Sequence, residues 1–411
     1  MSTRPGAMLG LLGGGQLGRM FTMAAQSLGY SVTVLDPEEQ SPAGSVAERH
    51  LRADYLDSGA LNELASTCAG ITTEFENVPA EALRILAERC IVSPAARSVA
   101  IAQDRILEKN FLATNGFEVA PYAVIQNPQN SQPPASSEAA TSGAVFSQKQ
   151  PQLFPGLFPG ILKVSRFGYD GKGQVRVNNP SELDSAFAGL NGEPCVLEKL
   201  LPLEREVSVI VSRGFDDEVV TFPVSENQHC NGILDISIVP ARISPEIARN
   251  ARDIAVRIAG KLDYRGVLCV EFFVLADGRL LVNEIAPRPH NSGHYSINAC
   301  ITSQFEQQVR ILCGMPLGST SMHGAAVMVN LLGDLWQKGE PEWKQVLRHP
   351  EVKLHLYGKR DARPGRKMGH YTVLAETTEA ALRLALKIKQ SLQPSYSVLE
   401  THEHPRNESR N

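Results

Sequence analysis

Residues 266–294 read GVLCVEFFVLADGRLLVNEIAPRPHNSGH. Two apolar runs, Gly266–Leu275 and Arg279–Ile285, flank Asp277-Gly278, a dipeptide favoured in two-residue type I′ hairpin turns. Pairing outward from that turn places Glu271 opposite Glu284, with Cβ atoms about 4.5–5.5 Å apart. Their neighbours Val270, Phe272, Phe273, Val282 and Ile285 are apolar, so the pair should be at least partly buried. Two carboxylates so placed repel, and one is protonated unless a cation sits between them. Mg²⁺, with Mn²⁺ as substitute, is the oxygen-seeking ion that substrate phosphates commonly share. Directly downstream stand Arg288, His290, Asn291 and His294, a cation, imidazole and amide set suited to an oxyanion in transfer.

Upstream lies KVSRFGYDGKGQ (163–174). Three glycines within six residues, between the strand-like runs Ile161–Val164 and Gln174–Val177, predict a flexible flap whose N–H groups fold over a polyphosphate. Lys163 would neutralise phosphate oxygens. The order of residues is not that of a Walker loop. Cys195–Glu198 and Glu206–Val211 read as further strands. Ser244-Pro245 opens a helix with Ser as N-cap and Pro at the first helical position. His229-Cys230 is half a metal site with no partner at ligand spacing.

At the N-terminus an apolar run ends in GGGQLG (13–18). A helix follows over Gln16–Gly29, then a strand over Ser31–Leu35 ending at Asp36. This β–turn–α–β unit predicts a doubly wound parallel sheet. The G-x-G-x-x-G match alone suggests an anion at a helix N-terminus, or a dinucleotide with Asp36 on its ribose. A second strand, Ile71–Phe75, ends at Glu74 and Glu76, where open α/β sheets bind ligands. Near the C-terminus, Lys359-Arg360-Asp361-Ala362-Arg363-Pro364-Gly365-Arg366-Lys367 packs five cations into nine residues, a candidate phosphate loop. A late helix is predicted near Glu379–Leu392.

The 411 residues suggest two to four domains, and 43% hydrophobic with 20% charged residues is ordinary for a globular protein. A net charge of −4 argues against a dedicated nucleic-acid binder. The seven cysteines are odd in number and lack a Cys-x-x-Cys pair, which fits a reducing compartment. No run approaches the roughly 18 apolar residues of a membrane span, and Met8–Gly15 reads as a strand and turn rather than a signal peptide. Gln126–Gly160 holds six Pro, six Gln and five Ser with only two charges, and much of it reads as a mobile surface loop.

The stretches GGGQLGRM (13–20), EFENV (74–78), GYDGKGQ (168–174), VNEIAPRPHNSGH (282–294) and RPGRKMGH (363–370) together resemble the ATP-grasp superfamily. Within it the chain is similar to the 5-(carboxyamino)imidazole ribonucleotide synthase (PurK) family. The resemblance implies α/β and α+β architecture: an N-terminal doubly wound domain (1–120), a central ATP-grasp domain (121–325) and a small C-terminal domain (326–411). It implies ATP- and bicarbonate-dependent carboxylation of aminoimidazole ribonucleotide through carboxyphosphate, by a cytoplasmic homodimer. Carried over by motif, Arg105, Lys163, Gly168, Tyr169, Asp170, Gly171, Lys172, Gly173, Gln174, Glu198, Lys199, Leu200, Leu201, Glu206 and His229 border ATP. Asn283 stands beside the Mg²⁺ ligands Glu271 and Glu284. Gln16, Leu17, Glu76, Tyr169, Asp170, Lys359, Arg366 and Lys367 match the ribonucleotide site. Lys172, Arg288, His290 and Asn291 match the bicarbonate region, with His290 the candidate general base. An NAD-dependent oxidoreductase, another ATP-grasp ligase such as a formate-using transformylase, and an inactive nucleotide-binding regulator are the competing readings.

Overall fold

The computed structural model describes residues 2–126, 145–147, 155–168 and 171–392. Most of Gln126–Gly160, and with it the loop expectation there, lies outside the described residues. Tyr169 and Asp170 do too.

The first sheet is parallel, with strands β1 (Met8–Leu12), β2 (Ser31–Leu35), β3 (Arg49–Leu51), β4 (Gly70–Thr73) and β5 (Ile91–Val92) in the order β3-β2-β1-β4-β5. The order reverses between β1 and β4, so their carboxyl ends open the crevice where such sheets bind ligands. Gly13, at φ +98°, turns the chain out of β1 into the helix Gln16–Ser27. Leu17, Met20 and Phe21 of that helix bury against Leu9, Leu11 and Val34.

The second sheet holds β6 (Tyr122–Gln126), β7 (Val145–Ser147), β8 (Gly160–Val164), β9 (Gln174–Val177) and β10 (Cys195–Lys199), ordered β7-β6-β10-β8-β9. β8 and β9 form the predicted hairpin around the flap, with Lys163 opposite Gln174.

The third sheet holds β11 (Leu203–Arg213), β12 (Val219–Thr221), β13 (Ser225–Cys230), β14 (Ile233–Val239), β15 (Gly266–Leu275), β16 (Leu280–Ala286), β17 (Ala325–Leu332), β18 (Val352–Leu356) and β19 (Lys367–Ala375). Its path runs β16-β15-β11-β13-β14-β17-β19-β18, with β12 on β11. The expected boundary at 325/326 therefore falls inside β17, and the C-terminal strands continue the central sheet rather than forming their own. Ser244 caps the helix Pro245–Lys261, its Oγ accepting from Ile247 N–H at 3.2 Å. The helix lays Ala251, Ala255 and Ile258 on Val207, Val209, Val270 and Phe272. That leaves the opposite face of β11 and β15 for polar work, because strand side chains alternate.

The domains share cores. Leu17 and Phe21 pack with Phe305, Val309 and Leu312 of the helix Gln304–Leu312 and with Tyr357. Gln308 adds donor bonds to Thr72 Oγ1 (3.0 Å) and the Ser93 carbonyl (3.3 Å). This fixes the crevice of the first sheet against the third.

Candidate active site

Glu271 opposes Glu284, as the sequence predicts, but by a different route. Of the turn residues only Gly278 has positive φ, at 81°, whereas type I′ needs it at both central residues. The Gly278 N–H reaches the Leu275 carbonyl at 2.8 Å, and the Leu275 N–H reaches the Arg279 carbonyl at 3.0 Å. The loop is thus Ala276–Gly278, three residues, and pairing slips by one so that Phe272 faces Val282. A bulge between Val282 and Glu284 then restores the glutamate pair. Val282 and Ile285 both enter the core, so the bulge turns Asn283 and Glu284 together toward the site.

That bulge is held from the helix Arg105–Thr114. Lys109 Nζ donates to the Asn283 carbonyl at 2.9 Å, and Glu108 Oε1 accepts from the Ile285 N–H at 2.6 Å. Both are charged residues buried in the interior, and neither was singled out from the sequence. The available signal was Glu108 standing one helical turn before the core residue Leu112, a charge on an apolar stripe.

Burial, then the Glu284 charge, pushes the Glu271 carboxyl up. Glu284 goes the other way: burial would raise it, but Arg105 at 3.0 Å and Lys163 hold it low. The two carboxylates and the buried, unpartnered Asn283 Oδ1 make an all-oxygen donor set that fits Mg²⁺ or Mn²⁺. Cys269 lies near Glu271 and His290, but a thiol is no ligand for those ions.

In the second sheet Glu198, the penultimate residue of β10, has Lys163 Nζ at 3.2 Å and Lys109 Nζ at 3.6 Å. Burial raises its carboxyl, and the two lysines outweigh that and bring it to about 2. Its other oxygen has no partner among the described residues. Lys199 closes β10, Leu200 and Leu201 lead on toward β11, and in β11 the Glu206 carboxylate meets His229 Nδ1 at 2.8 Å. Burial lowers His229 but that carboxylate raises it further. Gly168, Gly171, Lys172, Gly173 and Gln174 border the flap turn, where Gly171 and Gly173 have positive φ.

Glu76 follows β4 and meets Arg288 Nε from the third sheet. Burial would raise Glu76, yet Arg288 holds it below the usual range. Asn291 is buried with both amide atoms unpartnered among the described residues, and a bound oxyanion would take the Nδ2 donor, whose orphaning costs about 1–3 kcal/mol.

Three family models match the chain: the ribonucleotide synthetase preATP-grasp domain over 7–103, the ATP-grasp domain over 110–305, and the phosphoribosylaminoimidazole carboxylase C-terminal domain over 326–384. The N5-carboxyaminoimidazole ribonucleotide synthase of Brucella melitensis is 45% identical over 379 residues, 92% of this chain and 99% of that one. The chain belongs to the N5-carboxyaminoimidazole ribonucleotide synthase family. The Staphylococcus aureus synthetase complexed with ADP superposes at TM-score 0.84 with 38% identity, covering 94% and 98% of the two chains. The Aspergillus clavatus synthase in complex with ADP and 5-aminoimidazole ribonucleotide does so at 0.81 with 29% identity, covering 94% and 98%.

The synthase fold brings the N-terminal glycine turn and the basic loop before β19 to one place. Lys359 Nζ donates to Gln16 Oε1 and, at 2.8 Å, to the Lys367 carbonyl. Arg366 lies in the same loop, its Nη1 on the Asp361 carbonyl at 3.1 Å. Leu17 is buried beneath the glycine turn. That turn is not an open phosphate cradle. Glu74, from the neighbouring strand end, accepts from the Gly15 and Gly18 N–H groups, and a Cβ on Gly15 would fall 2.3 Å from its Oε1. Asp36 accepts from Gly14 N–H at 2.7 Å and Tyr55 OH at 2.8 Å, so it cannot serve a ribose. The protein's own carboxylates fill both places a dinucleotide needs. Fluorescence titration with NADH should therefore show no saturable binding, whereas ATP–Mg²⁺ should saturate.

His294 and His290 part company. His294 is fully buried, its ring 4.9 Å from His370 and 5.7 Å from Phe305, deep between the central and C-terminal strands. His290 faces the glutamate pair, Nε2 at 3.1 Å from Glu271 Oε1, while Nδ1 accepts from the Ser292 N–H at 3.3 Å. Both ring nitrogens are engaged, Nε2 with Glu271 and Nδ1 with Ser292.

Proposed function

We propose that the protein uses ATP to carboxylate the exocyclic amine of 5-aminoimidazole ribonucleotide with bicarbonate, a step of purine biosynthesis. The observation that carries this reading is convergence. Glu76, after β4, meets Arg288, after β16 and its Glu284, and Gln16, after the glycine turn, meets Lys359, which also bonds the Lys367 carbonyl, so all three sheets' loops contribute. The named relatives support the choice of substrate over a formate-using transformylase.

Bicarbonate is a poor electrophile. An oxygen of bicarbonate displaces ADP from the γ-phosphorus, giving carboxyphosphate; the amine then attacks its carbon, phosphate leaves, and the departing phosphate oxygen can take the amine proton. Lys163, Arg105 and the flap N–H groups hold the ATP phosphates. Arg288 and Asn291 orient the bicarbonate. Glu271, Glu284 and Asn283 would hold Mg²⁺, which supplies charge neutralisation at the transferring phosphoryl group. The flap excludes water from an intermediate that otherwise hydrolyses. A homodimer in the cytoplasm belongs to the same reading.

ADP release should require both bicarbonate and aminoimidazole ribonucleotide; turnover indifferent to the ribonucleotide would overturn the assignment. ATP phosphates already have Lys163, Arg105 and the flap, so the second basic cluster serves a second phosphate, that of the ribonucleotide. A charge-assisted bond contributes about 1.5–3 kcal/mol, roughly 10- to 150-fold. Arg366→Ala should raise KM for the ribonucleotide by that factor and leave KM for ATP near wild type.

A further inference from the structure

We propose that Ser208 and Ser292 are positioning residues for the metal site: a buried hydrogen-bond chain from Asn227 through both serines to His290 holds Glu271 in the orientation that binds the divalent cation. The inference rests on the metal assignment above and adds residues to it.

The chain is continuous. Ser237 Oγ donates to Asn227 Oδ1 at 3.0 Å, and Asn227 Nδ2 donates to Ser208 Oγ at 2.9 Å. Ser208 and Ser292 hydroxyls are 2.7 Å apart, and Ser292 Oγ lies 2.8 Å from His290 Nδ1. His290 Nε2 then meets Glu271 Oε1 at 3.1 Å. Ser208, Ser292 and Ser237 are fully buried and Asn227 is 5% exposed, so the links among them do not compete with bulk water, while His290 and Glu271 at the site end are 15% and 12% exposed.

Its direction is set at the His290 end by a donor that cannot reverse. The Ser292 backbone N–H is a donor only, and it points at His290 Nδ1. That nitrogen is therefore the acceptor, and the ring proton sits on Nε2, assigned here from the bonding pattern. At the far end the Asn227 amide donates to Ser208, so the Ser208 proton turns to Ser292 and the Ser292 proton to His290. Every proton in the chain points toward Glu271.

The geometry explains an oddity of β11. Ser208 lies between the core residues Val207 and Val209 and directly opposite Glu271 on β15, yet no Ser208–Glu271 bond forms. The hydroxyl reaches the carboxylate by the longer path through Ser292 and His290. Glu284 repels Glu271, and an untethered carboxylate would swing away from it. The imidazole N–H fixes Oε1 and leaves the other oxygen for the ion. Outer groups that orient metal ligands typically contribute 10- to 100-fold in metal affinity.

The test is Mn²⁺ binding to the full-length enzyme with ADP, followed by electron paramagnetic resonance. Ser292→Ala and Ser208→Ala should each weaken Mn²⁺ binding about 10-fold, with metal-free ADP affinity unchanged and Ser292→Thr restoring much of the loss. Ser225→Ala is the control, because its hydroxyl bonds the Ser292 carbonyl at 3.4 Å outside the chain. Mn²⁺ affinity within about twofold of wild type in both alanine variants, or equal weakening in Ser225→Ala, overturns the proposal. Should the variants misfold, ¹⁵N spectra of wild-type histidines decide it: a protonated Nδ1 on His290 refutes the chain. Glu284→Gln separates the layers. If it leaves Mn²⁺ binding intact, the metal assignment itself fails; if it weakens binding while the serine variants do not, only the chain fails.

Discussion

Glu271→Gln should cut Mg²⁺-dependent turnover by at least about 10²-fold, since loss of a ligand exceeds the 10- to 100-fold typical of its supporting groups. It should do so without unfolding the protein. Gln keeps an oxygen to accept the His290 N–H and removes a charge that burial and Glu284 both oppose. The stability effect has a sign and a pH window. In the metal-free protein the Glu271 carboxyl rises from 4.5 to about 8. A group raised in the folded state favours folding below its unfolded pKa, and that contribution is lost as pH climbs through the folded value. The wild type should therefore lose stability between pH 5 and pH 8 that the variant keeps. Metal-free melting curves should show Glu271→Gln gaining more at pH 8 than at pH 5. A variant that turns over at the wild-type rate with ordinary Mg²⁺ would remove Glu271 from the site.

The hairpin shows what a sequence can and cannot carry. Opposition of Glu271 and Glu284 was legible because strand alternation and an Asp-Gly turn constrain it. The route was not: the loop is a residue longer than the two-residue reading, and the bulge at Asn283 offsets it. That bulge depends on Lys109 and Glu108, some 175 residues away in the chain, and no local pattern reports such a partner. The glycine turn failed in the same manner. Its strand–turn–helix form was readable, but its occupancy by Glu74 is a tertiary fact, visible only once β4 lies beside β1. The motif therefore suggested a ligand where the protein supplies its own anion. His290 and His294 were indistinguishable by spacing, and packing alone sends one to the glutamate pair and the other into the core.

Arg288→Met is the sharpest probe of how the domains share the site. Arg288 joins Glu76 across the crevice between the first and third sheets, and both side chains are mostly covered, at 15% and 26% exposure. Methionine keeps much of the stem's packing but strands the Glu76 carboxylate, and unpairing a largely buried charge costs on the order of 2–3 kcal/mol once partial solvation is allowed for. The melting midpoint should fall accordingly, and carboxylation should fall further, by about 10³-fold, since the same guanidinium is the one proposed to orient the bicarbonate. The double variant Glu76→Gln/Arg288→Met divides the two effects. Removing the stranded charge should restore most of the stability, because replacing both members of such a pair is far less costly than removing one. It should restore none of the activity. If turnover returns with stability, Arg288 serves only to fasten the domains, and the bicarbonate must be held by other groups.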